Sequence, residues 1–201
     1  MTSPEQPSVL RLFIALPIPE AVKTEMEKVQ RELGKMASGD GLRWTRREQF
    51  HLTLKFLGNV PSERTDALLA ATRAACQGRK PFALRAGQAG FFPNEHRPRV
   101  LWAGIHGETE SLHNLQHAIA TATTEFAEKQ EDREFAAHLT LARIKITRPA
   151  EAQALVGRVR SLKNRILGEW TADRVEVIRS ELQPNGSRYT CLAVMLLADT
   201  R

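Results

Sequence analysis

The chain has 201 residues, of which 42% are hydrophobic and 26% charged. That excludes a disordered or collagen-like chain and suits one domain or two closely packed lobes. Lysine and arginine outnumber aspartate and glutamate 29 to 23, for a net charge of +6; such a surface attracts polyanions, nucleic acid first among them, without establishing binding. Cys76 and Cys191 lie far apart, outside any CxxC pattern, and are expected as free thiols in a reducing compartment. The apolar stretch from Val9 to Pro19 is too short to span a membrane and lacks a cleavable-signal layout, so the cytoplasm is the expected location.

In chain order, Met1–Ser8 is polar and expected to fray, and Val9–Leu16 reads as a strand in a buried environment. Pro19 suits a helix start, with Val22, Met26, Val29 and Leu33 at helical spacing and Gly34 and the Ser38-Gly39-Asp40-Gly41 run ending it. Phe50–Leu57 alternates as a strand, Gly58–Pro61 turns, and Ser62–Cys76 reads as a helix. Strands follow at Phe82–Phe92 and Arg99–Ile105 around a Pro93–Pro98 turn. Glu108–Lys129 carries Leu112, Leu115, Ile119, Ala122 and Phe126 on one helical stripe. Ala137–Ile146 is the next strand and Ala150–Leu162 the next helix. Strands at Arg174–Leu182 and Tyr189–Leu197 then flank a Pro184-Asn185-Gly186-Ser187 turn.

The chain repeats itself. Phe50-His51-Leu52-Thr53-Leu54 matches Ala137-His138-Leu139-Thr140-Leu141, and each copy is followed by a proline that opens a helix, a strand, a Pro-Asn turn and a returning strand. Two similar, interleaved lobes, each giving one copy to a shared site, are expected within a single domain spanning 1–201.

On a strand, residues two apart share a face, so His51 and Thr53 point one way while Leu52, Leu54 and Phe56 point the other; His138 and Thr140 stand likewise against Leu139 and Leu141. Two facing imidazoles suit a phosphodiester displacement. One, neutral, takes a proton from water; the other, protonated, gives one to the departing alkoxide. Thr53 and Thr140 hydroxyls can hold the non-bridging phosphoryl oxygens as charge builds.

At these residues the sequence resembles the two-histidine (2H) phosphoesterases, whose mark is a pair of His-x-Thr-x motifs. Within them it is similar to the bacterial and archaeal RNA 2′,3′-cyclic phosphodiesterase branch, historically called 2′-5′ RNA ligase. Arg11–Leu16, Leu42–Trp44, His51–Gly58, Pro98–Gly104, His138–Arg143, Ser180, Leu182, Gly186 and Tyr189 carry the resemblance. It implies an α+β, bilobal, pseudo-two-fold fold in which two antiparallel sheets line a central groove with helices outside. It implies hydrolysis of RNA 2′,3′-cyclic phosphate ends to a 2′-phosphate, with ligation as the reverse reaction. His51 would be the proton donor to the leaving 3′ oxygen, His138 the proton acceptor that activates water, and Arg143 a phosphate contact. No metal and no cofactor are implied. Ala137 stands where the family usually has proline, and strict alternation would put Arg143 on the face opposite His138, unless the strand bulges there.

The implied partner is RNA bearing a 2′,3′-cyclic phosphate, tRNA fragments among the candidates, with no membrane; a self-contained duplicated site favours a monomer. The alternatives are a non-catalytic basic RNA-binding module, or a 2H enzyme acting on another 2′-linked or cyclic nucleotide. His113 and His117 have a chelating spacing but fall on the solvent side of their helix, so a surface role is expected. Arg97, Arg99 and Arg188 in the two turns could touch RNA phosphates. Phe13, Trp44, Trp102 and Tyr189 are candidates for core packing or for stacking a base.

Overall fold

The computed structural model describes residues 8–35, 41–129, 134–145, 149–162, 164–184 and 186–198. Most of Met1–Ser8, the Ser38–Asp40 part of the first breaker run, Ile146 and Asn185 lie outside the described residues. The strands are β1 (Val9–Pro17), β2 (Leu42–Trp44), β3 (His51–Pro61), β4 (Phe82–Phe92), β5 (Val100–Gly107), β6 (His138–Ile144), β7 (Ile166–Ala172), β8 (Arg174–Gln183) and β9 (Gly186–Leu196). The helices are α1 (Glu20–Gly34), α2 (Thr65–Cys76), α3 (Thr109–Ala122) and α4 (Pro149–Arg160).

The strands form two antiparallel sheets with helices outside, of order β3-β1-β8-β9 and β2-β6-β5-β4-β7. The α+β class implied by the resemblance is what the structure has. Helices α2 and α3 pack together, touching β9 and β3, while α1 and α4 meet over β7 and β4. The apolar stripe of α1 (Val22, Met26, Val29, Leu33) is buried in one core cluster with Leu52, Leu54, Leu139 and Leu141 from the repeated segments.

The halves exchange strands. The hairpin after the first motif, β4–β5, joins the sheet of the second motif, where β5 pairs with β6. The hairpin after the second motif, β8–β9, joins the sheet of the first, where β8 pairs with β1 from Leu12↔Arg179 to Ala15↔Glu176. Strands β3 and β6, in different sheets, thereby touch.

Several elements differ from their sequence reading. Gly58–Pro61, read as a turn, extends β3 along β1 as far as Val9↔Pro61. The expected Glu108–Lys129 helix ends at Ala122 and resumes as a 3₁₀ turn over Thr124–Phe126. There the Thr123 and Thr124 hydroxyls donate to the Ile119 and Ala120 carbonyls at 2.7 and 2.6 Å, and such back-bonding competes with the helical ladder. Ser62–Arg64 is likewise a 3₁₀ turn before α2. Strands β2 and β7 have no counterpart in the sequence reading: β2 is three residues long, and β7 carries Gly168 at φ +141°, tight against Val22. Strand β7 also separates α4 from the last hairpin, so the order of elements after the second motif is not a copy of that after the first.

Leu139 is fully buried beneath the second motif. Leu139→Ala is expected to lower folding stability by about 2–5 kcal/mol, read as a lower urea midpoint.

Candidate active site

His51 opens β3 and His138 opens β6. Both line a cavity of about 420 Å³ between the sheets, together with Thr53 and Thr140. In each motif the His and Thr are half-buried on the cavity face, while Leu52, Leu54, Leu139 and Leu141 are buried on the other. The alternation expected from the sequence holds over these residues.

It breaks at the same place in both copies. In β3, Ala15 pairs with Thr53 and Ile14 with Lys55, so Leu54 is the extra residue. In β6, Trp102 pairs with Thr140 and Leu101 with Ala142, so Leu141 is. A bulge resets which residues face which way. On β6 it turns Arg143 onto the cavity side with His138 and Thr140. On β3 it turns Phe56 onto the cavity side with His51 and Thr53, which corrects the expectation that Phe56 shares the face of Leu52 and Leu54. Phe56 is 40% exposed, with the Arg11 guanidinium 4.8 Å above its ring centroid.

The two imidazoles are held alike. Nδ1 of His51 lies 2.7 Å from the Gln49 carbonyl oxygen and Nδ1 of His138 lies 2.7 Å from that of Ala136. A carbonyl only accepts, so each Nδ1 carries the hydrogen, and Nε2 is left for the cavity, able to accept when neutral and donate when charged. His51 packs against Phe13 (centroids 4.7 Å apart) and edge-on to Tyr189 (5.4 Å). His138 packs edge-on to Phe92 (4.9 Å), which rests on Trp102. Trp102 is thus a packing residue behind Phe92, whereas Phe13, Trp44 and Tyr189 reach the cavity wall.

Burial is the main force on His51 and pushes its pKa from 6.5 down to about 4; the hydrogen bond to the Gln49 carbonyl opposes this, and repulsion from His138 adds a smaller downward push. Burial also raises the Tyr189 phenol, against the pull of the Arg143 and Arg11 guanidiniums. Among the described residues, the cavity wall carries Arg11, Arg43 and Arg143 and no carboxylate. Among the described residues no group of three or more His, Cys, Asp or Glu side chains is placed to hold a metal ion. His113 and His117 stand exposed on α3, and His96, Arg97 and Arg99 lie in the β4–β5 turn, apart from the cavity wall.

The profile of the LigT like phosphoesterase family matches residues 16–102 and again residues 105–189, one motif in each match. The chain belongs to the LigT-like phosphoesterase family. Among its relatives, the RNA 2′,3′-cyclic phosphodiesterase of Methanocaldococcus jannaschii is 31% identical over 180 residues, covering 90% of this chain and 96% of that protein. The enzyme of the same name from Thermus thermophilus is 32% identical over 189 residues, covering 91% of this chain and 88% of its own. A crystal structure of a Thermus thermophilus protein superposes with a TM-score of 0.76 at 30% identity, over 94% of this chain and 98% of that one. Escherichia coli LigT complexed with 3′-AMP shares the fold, with a TM-score of 0.74 at 23% identity over 94% of this chain and 99% of that one. Within this LigT-like site, Gln49 and Ser187 went unread from the sequence. The Gln49 amide donates to the Ser187 carbonyl at 2.6 Å and ties the start of β9 to the segment before His51, a contact with no motif of its own.

The low His51 value has a measurable consequence. The unfolded chain takes up a proton that the folded ring refuses, so the stability tied to this ring is complete above about 6.5 and is lost as pH falls toward about 4. Urea midpoints should fall across that window, and imidazole NMR should show His51 as the Nδ1–H tautomer, titrating near its lower end. A His51 midpoint at the ordinary value would contradict the burial described here.

Proposed function

We propose that this chain hydrolyses RNA 2′,3′-cyclic phosphate ends to 2′-phosphomonoesters, with His51 as the proton donor and His138 as the proton acceptor. The observation that carries the reading is the pair of Nδ1-tethered imidazoles lining one cationic cavity. The names of the relatives support the reaction. Water attacks phosphorus as His138 Nε2 takes its proton, the P–O3′ bond breaks, and His51 Nε2 protonates the leaving 3′ oxygen. Thr53 and Thr140 hold the non-bridging oxygens, and Arg143, on the same face, balances their growing charge. The same reading takes the chain as a single domain of two interleaved similar lobes, acting as a cytoplasmic monomer on RNA ends, tRNA fragments among them. Ligation to a 5′-hydroxyl would use the same two rings whenever an RNA splint holds the competitor where water otherwise attacks.

One observation favours exchanged roles. A ring held neutral by burial suits a base better than an acid. The family assignment therefore requires the phosphate anion to charge His51 on binding, as an opposite charge beside an imidazole does.

His51→Ala and His138→Ala should each lower kcat on a nucleoside 2′,3′-cyclic phosphate by about 10²–10⁴-fold, with chelator present. Full activity in either variant would sink the reading. A substrate with sulfur at the 3′ bridging position separates the roles, because a thiolate leaves without a proton. It should restore turnover to His51→Ala and not to His138→Ala; rescue of the other variant would exchange donor and acceptor.

A further inference from the structure

The cavity carries more positive charge than a cyclic phosphate needs. A 2′,3′-cyclic phosphate is a monoanion, yet three guanidiniums, Arg11, Arg43 and Arg143, line the wall without a carboxylate among the described residues. Arg11 is placed over the Phe56 ring. Arg43 and Arg143 are direct partners across the β2–β6 pair, both exposed on the cavity side. Like charges directly opposite in an antiparallel pair repel, and among the described residues neither guanidinium has an acidic partner. Two phosphates, one at each guanidinium, relieve that repulsion through separate charge-assisted hydrogen bonds.

The strand that brings Arg43 is an addition to one sheet. Strands β3, β1, β8 and β9 stand against β6, β5, β4 and β7, and β2 is left over, outside β6. Arg43 also reaches toward the other sheet: a Cβ built on Gly186, at the start of β9, would lie 3.3 Å from its Nη2. Its guanidinium thus stands between the edge strand β2 and the start of β9, on the wall it shares with the histidine pair.

We propose that Arg43 binds the phosphodiester on the 5′ side of the terminal nucleotide, while Arg143 stays on the reacting phosphate, which makes this site selective for oligonucleotide ends over free nucleoside 2′,3′-cyclic phosphates. The proposal rests on the hydrolytic reading above and adds to it a second phosphate with its own residue. Arg43 is a binding residue here and takes no part in bond cleavage.

The test compares uridine 2′,3′-cyclic phosphate with the uridylyl-uridine dinucleotide ending in the same group. For the unsubstituted protein, kcat/KM should favour the dinucleotide by on the order of 10- to 100-fold, the scale of one charge-assisted contact. A dinucleotide with an uncharged methylphosphonate linkage should lose that advantage. Arg43→Gln should bring the dinucleotide-to-mononucleotide ratio close to one, and Arg43→Lys should keep part of it. The log–log salt dependence of kcat/KM on the dinucleotide should also flatten by about 0.7 in Arg43→Gln, the loss of one phosphate contact on a single strand. Equal efficiency on both substrates in the unsubstituted protein, full preference for the methylphosphonate, or an unchanged ratio in Arg43→Gln would each overturn the subsite. Turnover of neither substrate would instead sink the hydrolytic reading, and the subsite with it.

Discussion

The pairing of β1 with β8 is the constraint on which the site depends. It runs from Leu12↔Arg179 to Ala15↔Glu176 and stitches the last hairpin of the chain into the sheet that holds His51. The β5–β6 pairing does the corresponding work for His138, with a hairpin that follows the first motif. Strand β6 lies between β2 and β5, both from the first half, while β3 lies at the sheet edge beside β1 of its own half, which the last hairpin backs through β8. The exchange brings β3 and β6 into contact and leaves one groove between the sheets. Closing such long loops is entropically costly. The large shared core, with Leu12, Ile14, Leu52, Leu139, Val175 and Val177 all fully buried, offsets it.

Within that frame the polar machinery is small and is orientated by the backbone. A histidine can be held by a carboxylate, which fixes the ring and also stabilises its charge. Here carbonyl oxygens take that place, so Nδ1–H is fixed with no full negative charge behind the ring. The wall agrees with this: among the described residues it carries guanidiniums without carboxylates, which favours an anion from outside. Aromatic rings supply the lateral support, Phe13 and Tyr189 for one histidine and Phe92 for the other.

Much of this was legible in the sequence because period-two alternation is a local property. His51 and Thr53 share a face, His138 and Thr140 share another, and the leucines between them are buried. What alternation cannot reveal is where it slips. The extra residues Leu54 and Leu141 look like any other strand leucine, yet they decide that Phe56 and Arg143 face the cavity. Strand partners are also a property of the assembled chain, so which hairpins the interleaved lobes exchange was hidden. Strand β2 was too short to register and β7 is interrupted by a glycine. Thr123 and Thr124 ended α3 inside a stripe whose apolar spacing continues to Phe126, which is still buried, on a 3₁₀ turn.

The carbonyl tethers have a consequence for repeated turnover. Under the proposed chemistry a reaction begins with one ring charged and the other neutral, and it ends with the two states interchanged. Carbonyls cannot store a proton, and among the described wall residues there is no carboxyl group to ferry one between the rings. The pair must therefore be reset through solvent entering the open groove, and until it is, the spent molecule is already primed for the opposite direction of the same reaction.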